Sequence, residues 1–372
     1  MKRTPRHLSP RSVRFPMVGN AELIQESGET RRILPTLLLV VAIVFPCLVL
    51  YQLANPVEYL MVQSGRSAVG NGETAVDLAK LLEIEGNVSE AENVTLERIL
   101  EKAAMEDNTV ILTTLNEAWA TPDSIMDLFL HSFRIGFKTR KLMDHLVIVA
   151  LDQKAYARCL SVHTHCFALQ TEGVDFSGEK SFMTPDYLTM MWRRIDFLRS
   201  VLELGYNFVF TDADIMWFRD PFPVFYSDAD FQIACDHFSG NPTDLQNRPN
   251  GGFNFVKSNN RTISFYKFWH KSREAHPGYH DQDVLNFIKY DPFISEIGLQ
   301  MRFLNTDYFG GFCEPSKDFK KVCTMHANCC VGLGSKIHDL SIMLEDWRRF
   351  MSLPPLQKSS SFWRVPRNCS VP

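Results

Sequence analysis

The sequence predicts an α/β protein, a mostly parallel sheet with helices on both faces, preceded by a single membrane-crossing helix. Three observations predict it. Short apolar runs alternate with amphipathic helical patterns between Thr109 and Phe222, the order that builds parallel strands joined by crossover helices. One run, Phe208-Val-Phe210, leads directly into Asp212-Ala-Asp214, and open sheets of this class bind ligands outside the carboxyl ends of their strands. Ahead of both, Ile33 to Ala54 is a stretch of 22 residues without a charge.

The chain has 372 residues, 45% of them hydrophobic, and a net charge of −4. That length supplies one large or two ordinary domains with a sizeable core. The charge leaves no basic field for nucleic acid, so no such partner is expected. Residues 1–32 hold seven Lys and Arg (Lys2, Arg3, Arg6, Arg11, Arg14, Arg31 and Arg32) among Pro and Ser, and read as a disordered cytosolic tail. Residues 33–54 are long enough to cross a bilayer as a helix, and Pro35 and Pro46 are tolerable inside a span. A cleaved signal peptide would carry a shorter apolar core nearer the N-terminus. Residues 55–75 contain one basic residue, Arg66. The charge asymmetry therefore places the N-terminus in the cytosol and everything after Ala54 in a lumen or outside the cell.

Residues 55–106 read as a lumenal stem. They are polar, contain Gly70, Gly72 and Gly86, and carry the sequons Asn87-Val-Ser89 and Asn93-Val-Thr95. Further sequons begin at Asn260 and Asn368. Leu96, Ile99, Leu100 and Ala103 are spaced for a short amphipathic helix leading into the main domain, residues 107–372. There, residues 109–115 form the first buried strand. Pro122 opens a helix with Ile125, Leu128, Phe129 and Phe133 on its apolar face. Residues 145–151 form the second strand, 155–160 a helix and 166–169 the third strand. An amphipathic helix over 185–204, with Met191, Ile195, Leu198 and Leu202, feeds the run ending in Asp212. Strands at 230–235 and 301–304, helices around Phe265 and after His280, and a final helix near 337–350 complete the pattern.

Four motifs carry chemistry. Alternation along a strand sends Asp212 and Asp214 out on one side. Two hard oxygen ligands there suit Mg²⁺ or Mn²⁺ carrying a diphosphate, while the plain alternative is an acidic turn that ends a strand. In Asn250-Gly-Gly-Phe-Asn254 the glycines admit close backbone approach to a ligand, or simply form a turn between strands. Asp281-Gln282-Asp283 gathers polar groups at a helix N-terminus, where Asp281 binds a ligand or caps the helix. His326 suits a metal site, and Gly332, Gly334 and Lys336 suit phosphate oxygens. A rival is structural zinc on Cys323, His326, Cys329 and Cys330, but the second ligand pair of a zinc finger is absent, and an oxidising lumen favours disulfides. Short spacings select Cys159–Cys166 and Cys313–Cys323 as bridges.

Taken in order, residues 109–119, 145–152, 187–222, 250–254, 281–286 and 326–336 resemble the plant nucleotide-diphospho-sugar transferase family (glycosyltransferase family 77), a relative of the retaining enzymes of family 8. The resemblance runs from about Thr95 to Phe350. It implies a GT-A type, Rossmann-like catalytic domain, a Golgi type II topology, a UDP-sugar donor, Mn²⁺ with Mg²⁺ as the alternative, and retention at the anomeric carbon. It also implies transfer of an arabinose, xylose or galactose type of sugar to a cell-wall polysaccharide or glycoprotein. Asp212, Asp214 and His326 are then the metal residues, with Asp212 touching the ribose or a metal-bound water. Thr113, Thr114 and Asn116 read the uracil and ribose, and Asp152 is a further nucleotide-site candidate. Arg194 or Arg193, with Gly332 and Lys336, hold the diphosphate. Gly252 and Asn254 line the sugar pocket, Asp281 holds the sugar and Gln282 sits near the anomeric carbon. Neither Asp281 nor Gln282 reads as a nucleophile, which favours front-face displacement with the leaving phosphate taking the acceptor proton. Two rivals stand beside this reading. One is a catalytically inactive glycan-binding membrane protein on the same fold, which would lose the metal site. The other is a metal-dependent hydrolase, which needs a carboxylate pair across the scissile bond.

Overall fold

The computed structural model describes residues 95–171 and 173–369. The basic tail, the apolar run at 33–54 and the stem up to residue 94 lie outside the described residues. Among the described residues no helix is long and apolar enough to cross a membrane. A helix at 95–103 (α1) opens the described chain, and Leu96, Leu100 and Ala103 are buried as their spacing predicts.

Among the described residues ten strands and eight further α-helices follow, with helices between the strands up to β4. They are β1 (Thr109–Leu115), α2 (Glu117–Ala120), α3 (Ile125–Ile135), β2 (Leu146–Ala150), α4 (Gln153–Val162), β3 (Cys166–Ala168), α5 (Pro185–Glu203), β4 (Asn207–Thr211) and β5 (Ile215–Trp217). Then come β6 (Phe231–His237), β7 (Arg248–Val256), α6 (Asn260–Ser272), α7 (Asp281–Ile288), α8 (Pro292–Glu296), β8 (Met301–Phe303), β9 (Phe309–Gly311), β10 (Thr324–His326) and α9 (Leu333–Ser352). The main sheet has the order β3-β2-β1-β4-β7-β6-β8. Strands β3, β2, β1 and β4 are mutually parallel, as are β6 and β8. The expected mostly parallel sheet is present, with one reversal: β7 runs antiparallel to both β4 and β6.

That reversal positions the site. Asn250, Gly251 and Gly252 lie inside β7 rather than in a turn. Because β7 runs against β4, they arrive beside the carboxyl end of β4, where the Asp212 amide donates to the Gly252 carbonyl at 2.7 Å. A small second sheet, β5-β10-β9, does the rest. His326 is the last residue of β10 and pairs with Ile215, directly after Asp214. The final helix also starts earlier than its apolar spacing implies, so Gly334 and Lys336 occupy its first turn.

The sheet separates two apolar cores. Val209 of β4 joins Phe133, Trp217, Phe253 and Trp347 on one face. Phe208 and Phe210 join Phe197, Tyr266 and Trp269 on the other, as the two-residue period of a strand requires. Trp217 stacks on Phe133 at 4.6 Å and donates its indole N–H to Thr211 Oγ1 at 3.2 Å. The residue before Asp212 is thus anchored by a side chain whose truncation would cost about 3–5 kcal/mol.

The bridge Cys159–Cys166 forms as expected. The expected Cys313–Cys323 bridge does not: Cys313 pairs with Cys329, and Cys330 with Cys369. Strand direction explains the correction. Strands β9 and β10 are parallel, so Cys313, following β9, and Cys329, following β10, emerge at the same end. Cys323 precedes β10 at the opposite end and is a buried free thiol, as is Cys235. With Cys329 and Cys330 both bridged, the zinc set does not form. Burial pushes the Cys323 thiol up to about 12 and raises Cys235 further, which suppresses reactive thiolate. Peptide mapping of the unreduced protein should therefore return these three bridges, with Cys235 and Cys323 alkylated only after denaturation. A Cys313–Cys323 peptide would contradict the register of β9 and β10.

Candidate functional site

After Thr211 the chain turns through Asp212-Ala213-Asp214 into β5, closed by the Ile215 amide donating to the Asp212 carbonyl at 3.2 Å. The Asp214 carbonyl accepts from the Ala327 amide at 3.0 Å, joining this turn to the exit of β10. His326 Nε2 thereby lies 3.2 Å from Asp214 Oδ1 and 4.0 Å from Asp212 Oδ2. One ligand atom from each of the three residues lies within 4.8 Å of the others. Asp214 is 1% exposed, and its buried Oδ1 faces the His326 ring as an ion-pair neighbour but has no hydrogen bond of good geometry. A buried carboxylate oxygen left without a hydrogen bond is costly. A divalent cation facing Asp214 and His326 would satisfy it, so these residues fit a metal. A mixed oxygen and imidazole set suits Mn²⁺ better than Mg²⁺, which prefers oxygen throughout.

Lys336, in the first turn of α9, places Nζ 2.5 Å from Asp214 Oδ2 and 5.4 Å above the Trp119 ring. Gly332 caps α9 at φ 89°, a left-handed conformation open to glycine. Burial opposes ionisation of Asp214, but Lys336 and His326 outweigh it and hold the carboxyl well below the usual range. Burial and the neighbouring Asp214 charge raise Asp212 against the pull of Arg194. Burial alone would lower His326, but Asp214 and Asp212 raise it above the ordinary imidazole value.

Arg194 reaches this centre from α5. It is buried, not solvated, and its fork donates from Nη1 to Asp212 Oδ1 at 2.9 Å and from Nη2 to Asp281 Oδ2 at 2.5 Å. Burial would push Asp281 up, but Arg194 and His280 outweigh it and bring the carboxyl down to about 2. Asp281 does not cap α7. That role falls to His280, whose Nδ1 accepts from the Gln282 amide at 3.1 Å. Gln282 accepts from the Gly251 amide at 3.0 Å and donates to Asp236 Oδ2 at 2.9 Å. Asp236 also accepts from Asn250 Nδ2 at 2.8 Å and Asn328 Nδ2 at 2.7 Å. A Cβ on Gly252 would stand 2.5 Å from Asp212 Oδ2 and 2.7 Å from the His326 ring, so glycine is required here.

Asp212, Asp214, His326, Lys336, Arg194, Asp281, Gln282 and Gly252 therefore meet in one place. Others make contacts within the fold. Asn254 is 1% exposed and bonds Tyr266 Oη and the Gly251 carbonyl, so it supports β7 beneath the glycine pair. Asn116 caps α2 and donates to the carbonyls of Phe176 and Gly178, fastening that loop. Asp152 caps α4 and accepts from the Glu117 amide at 2.6 Å. The Thr113 hydroxyl is buried without a hydrogen-bond partner, while Thr114 is half-buried at the end of β1. Arg193 pairs with Asp196. Asp236 escaped the sequence reading. Its one signal is a carboxylate near the end of an apolar strand, at the register shifts of β6 against β7.

The profile of the nucleotide-diphospho-sugar transferase family matches residues 141–340, a span holding every residue of this centre. An uncharacterized protein of Arabidopsis thaliana is 55% identical over 276 residues, 74% of this chain and 73% of the relative. A second uncharacterized A. thaliana protein is 40% identical over 281 residues, 74% of this chain and 83% of the relative. A shorter likeness, 39% over 67 residues (17% of this chain and 12% of the relative), is to the beta-arabinofuranosyltransferase RAY1 of A. thaliana. The chain belongs to the nucleotide-diphospho-sugar transferase family and is a glycosyltransferase.

Proposed function

We propose that the protein moves an arabinose, xylose or galactose type of sugar from a UDP-sugar to a cell-wall polysaccharide or glycoprotein. In this reading the fold is of GT-A type, the anomeric configuration is retained, and Asp212, Asp214 and His326 hold Mn²⁺, with Mg²⁺ as the alternative. The protein acts as a single-pass type II protein of the Golgi membrane, anchored by residues 33–54 with the catalytic domain in the lumen. The observation that carries the reading is the buried Asp214 Oδ1, without a hydrogen bond and facing His326, with Lys336 on the other oxygen. Three disulfides support an oxidising lumen, and the stretch shared with the arabinofuranosyltransferase supports a pentose donor.

When bound, the cation supplies Lewis-acid neutralisation of the leaving diphosphate. The chain supplies the rest. Lys336 stands beside Asp214, placed to donate to a diphosphate oxygen. Arg194 holds the Asp281 carboxyl in its ionised form and fixes Asp212 and Asp281 in relation to each other. Asp281 accepts from sugar hydroxyls, and Gln282 and Asp236 border the same space. Neither carboxylate on the sugar side is free to attack, since Asp281 is paired with Arg194 and Asp236 accepts from three amides. That favours front-face displacement, in which a leaving phosphate oxygen takes the acceptor proton. An inactive glycan-binding protein would have no use for the intact triad.

The deciding experiment incubates purified protein with UDP-arabinofuranose, UDP-xylose, UDP-galactose and UDP-glucose, with and without acceptor glycans, in Mn²⁺ or EDTA. Acceptor-dependent, Mn²⁺-dependent transfer is expected. UDP release without acceptor would mark a hydrolase, and glycan binding without turnover an inactive lectin.

Two predictions follow from the geometry. Changes to the partners of metal ligands already cost about 10–100-fold, so His326→Ala and Asp214→Ala should each lose at least that much activity and most Mn²⁺-dependent UDP binding. The double variant should lose far less than the product of the two, because both act through one ion; wild-type Mn²⁺ affinity in His326→Ala would remove the residue from the site. The second concerns pH. The raised His326 value in the metal-free protein contributes stability that is present below the unfolded value and lost as pH rises through the folded one. Mn²⁺ must displace that proton, so its affinity should rise with pH over the same window and its binding should release a proton, measurable by titration in two buffers. Proton release that persists in His326→Ala would assign it to another group.

A further inference from the structure

Between His326 and the start of α9 the chain has no regular structure. These few residues nevertheless join the metal-site imidazole to the Lys336 ammonium. Two covalent ties enter the segment at adjacent positions, Cys329 to Cys313 and Cys330 to Cys369. The second leads to the C-terminal segment, which is firmly held along α9. Asp339, 3% exposed, accepts from the backbone amides of Arg367, Asn368 and Cys369 at 3.0, 2.9 and 2.7 Å, besides the His338 ring. Asp346, one heptad further along the helix and 4% exposed, accepts from Arg364 N and Nε at 2.8 and 2.7 Å. Trp363 stacks on Phe319 at 3.8 Å and donates to the Ser316 carbonyl at 2.7 Å.

The arrangement is a closed ring. It runs from Cys330 through Gly332 into α9, past Lys336 and Asp339, around the chain reversal and back through the clamped amides to Cys369. Burying two carboxylates along one helix is costly without such partners. The ring limits how far the 331–336 segment can move relative to α9.

We propose that residues 363–369 form a strap that positions the cation and diphosphate groups. Cys330–Cys369 and the Asp339 clamp hold residues 327–336, and with them His326 and Lys336, in register with Asp214. The ligand side of this inference rests on the donor reading above; the mechanical side does not. The test uses the full chain and two variants, Cys330→Ala/Cys369→Ala and Asp339→Asn. A control, Cys159→Ala/Cys166→Ala, opens the bridge between α4 and β3 at the far sheet edge. Hydrogen exchange of the 327–336 amides is compared with that of β4 and β7 in the free protein, and the Kd for UDP is measured in Mn²⁺. Both strap variants should melt cooperatively, exchange faster selectively over 327–336, and bind UDP with Mn²⁺ roughly tenfold or more weakly. The control should lower the melting temperature with neither change. Unchanged exchange and Kd in folded strap variants would overturn the proposal. So would equal changes in the control, or loss of cooperative melting in both strap variants, which would place the strap in the folding core. If the wild-type protein does not bind UDP with Mn²⁺, the donor reading fails and exchange alone decides the strap.

Discussion

The structure depends on the burial of one carboxylate. Asp214 is ionised and out of water, and each group that makes this tolerable comes from a different part of the chain. The turn after β4 supplies the residue itself, β10 supplies His326 and the first turn of α9 supplies Lys336. An isolated buried charge costs several kcal/mol even after relaxation, so these elements cannot be arranged independently. The small second sheet has a clear task in this light: its antiparallel β5–β10 pairing carries the His326 imidazole to within 3.2 Å of Asp214.

Much of this was legible in the sequence. The first four strands of the main sheet, the long helix before β4, the Asp212/Asp214 turn and the gathering of His326 and Lys336 beside it all follow from apolar runs and residue chemistry. The direction of β7 was not, because a strand reads alike in both directions and the glycine pair looks like a turn. The partner of Cys313 was hidden for the same reason, since it depends on β9 and β10 being parallel. Asn116 and Asp152 show another limit. A polar side chain at a strand end can meet a ligand or cap the following helix, and the caps that both make were not read from the sequence. Asp236 was invisible because its significance lies in three amides from distant segments, none of which forms a motif with it.

The same logic separates the two faces of the main sheet. Trp217 secures Thr211 from one core, while Phe210 lies under the Arg194 guanidinium at 4.9 Å from the other. The acidic turn is therefore held from both sides by aromatic packing.

The Arg194 fork has a consequence for substitution at that position. One planar cation serves Asp212, beside Asp214 and His326, and Asp281, beside Gln282, with two nitrogens pointing along two different directions. A lysine would keep the charge but offers a single ammonium on a flexible stem, which cannot reproduce both contacts in the same geometry. One carboxylate would be left buried and unpaired, and the two halves of the site would no longer be held in relation to each other. In charge the exchange is conservative, but it would divide one binding site into two.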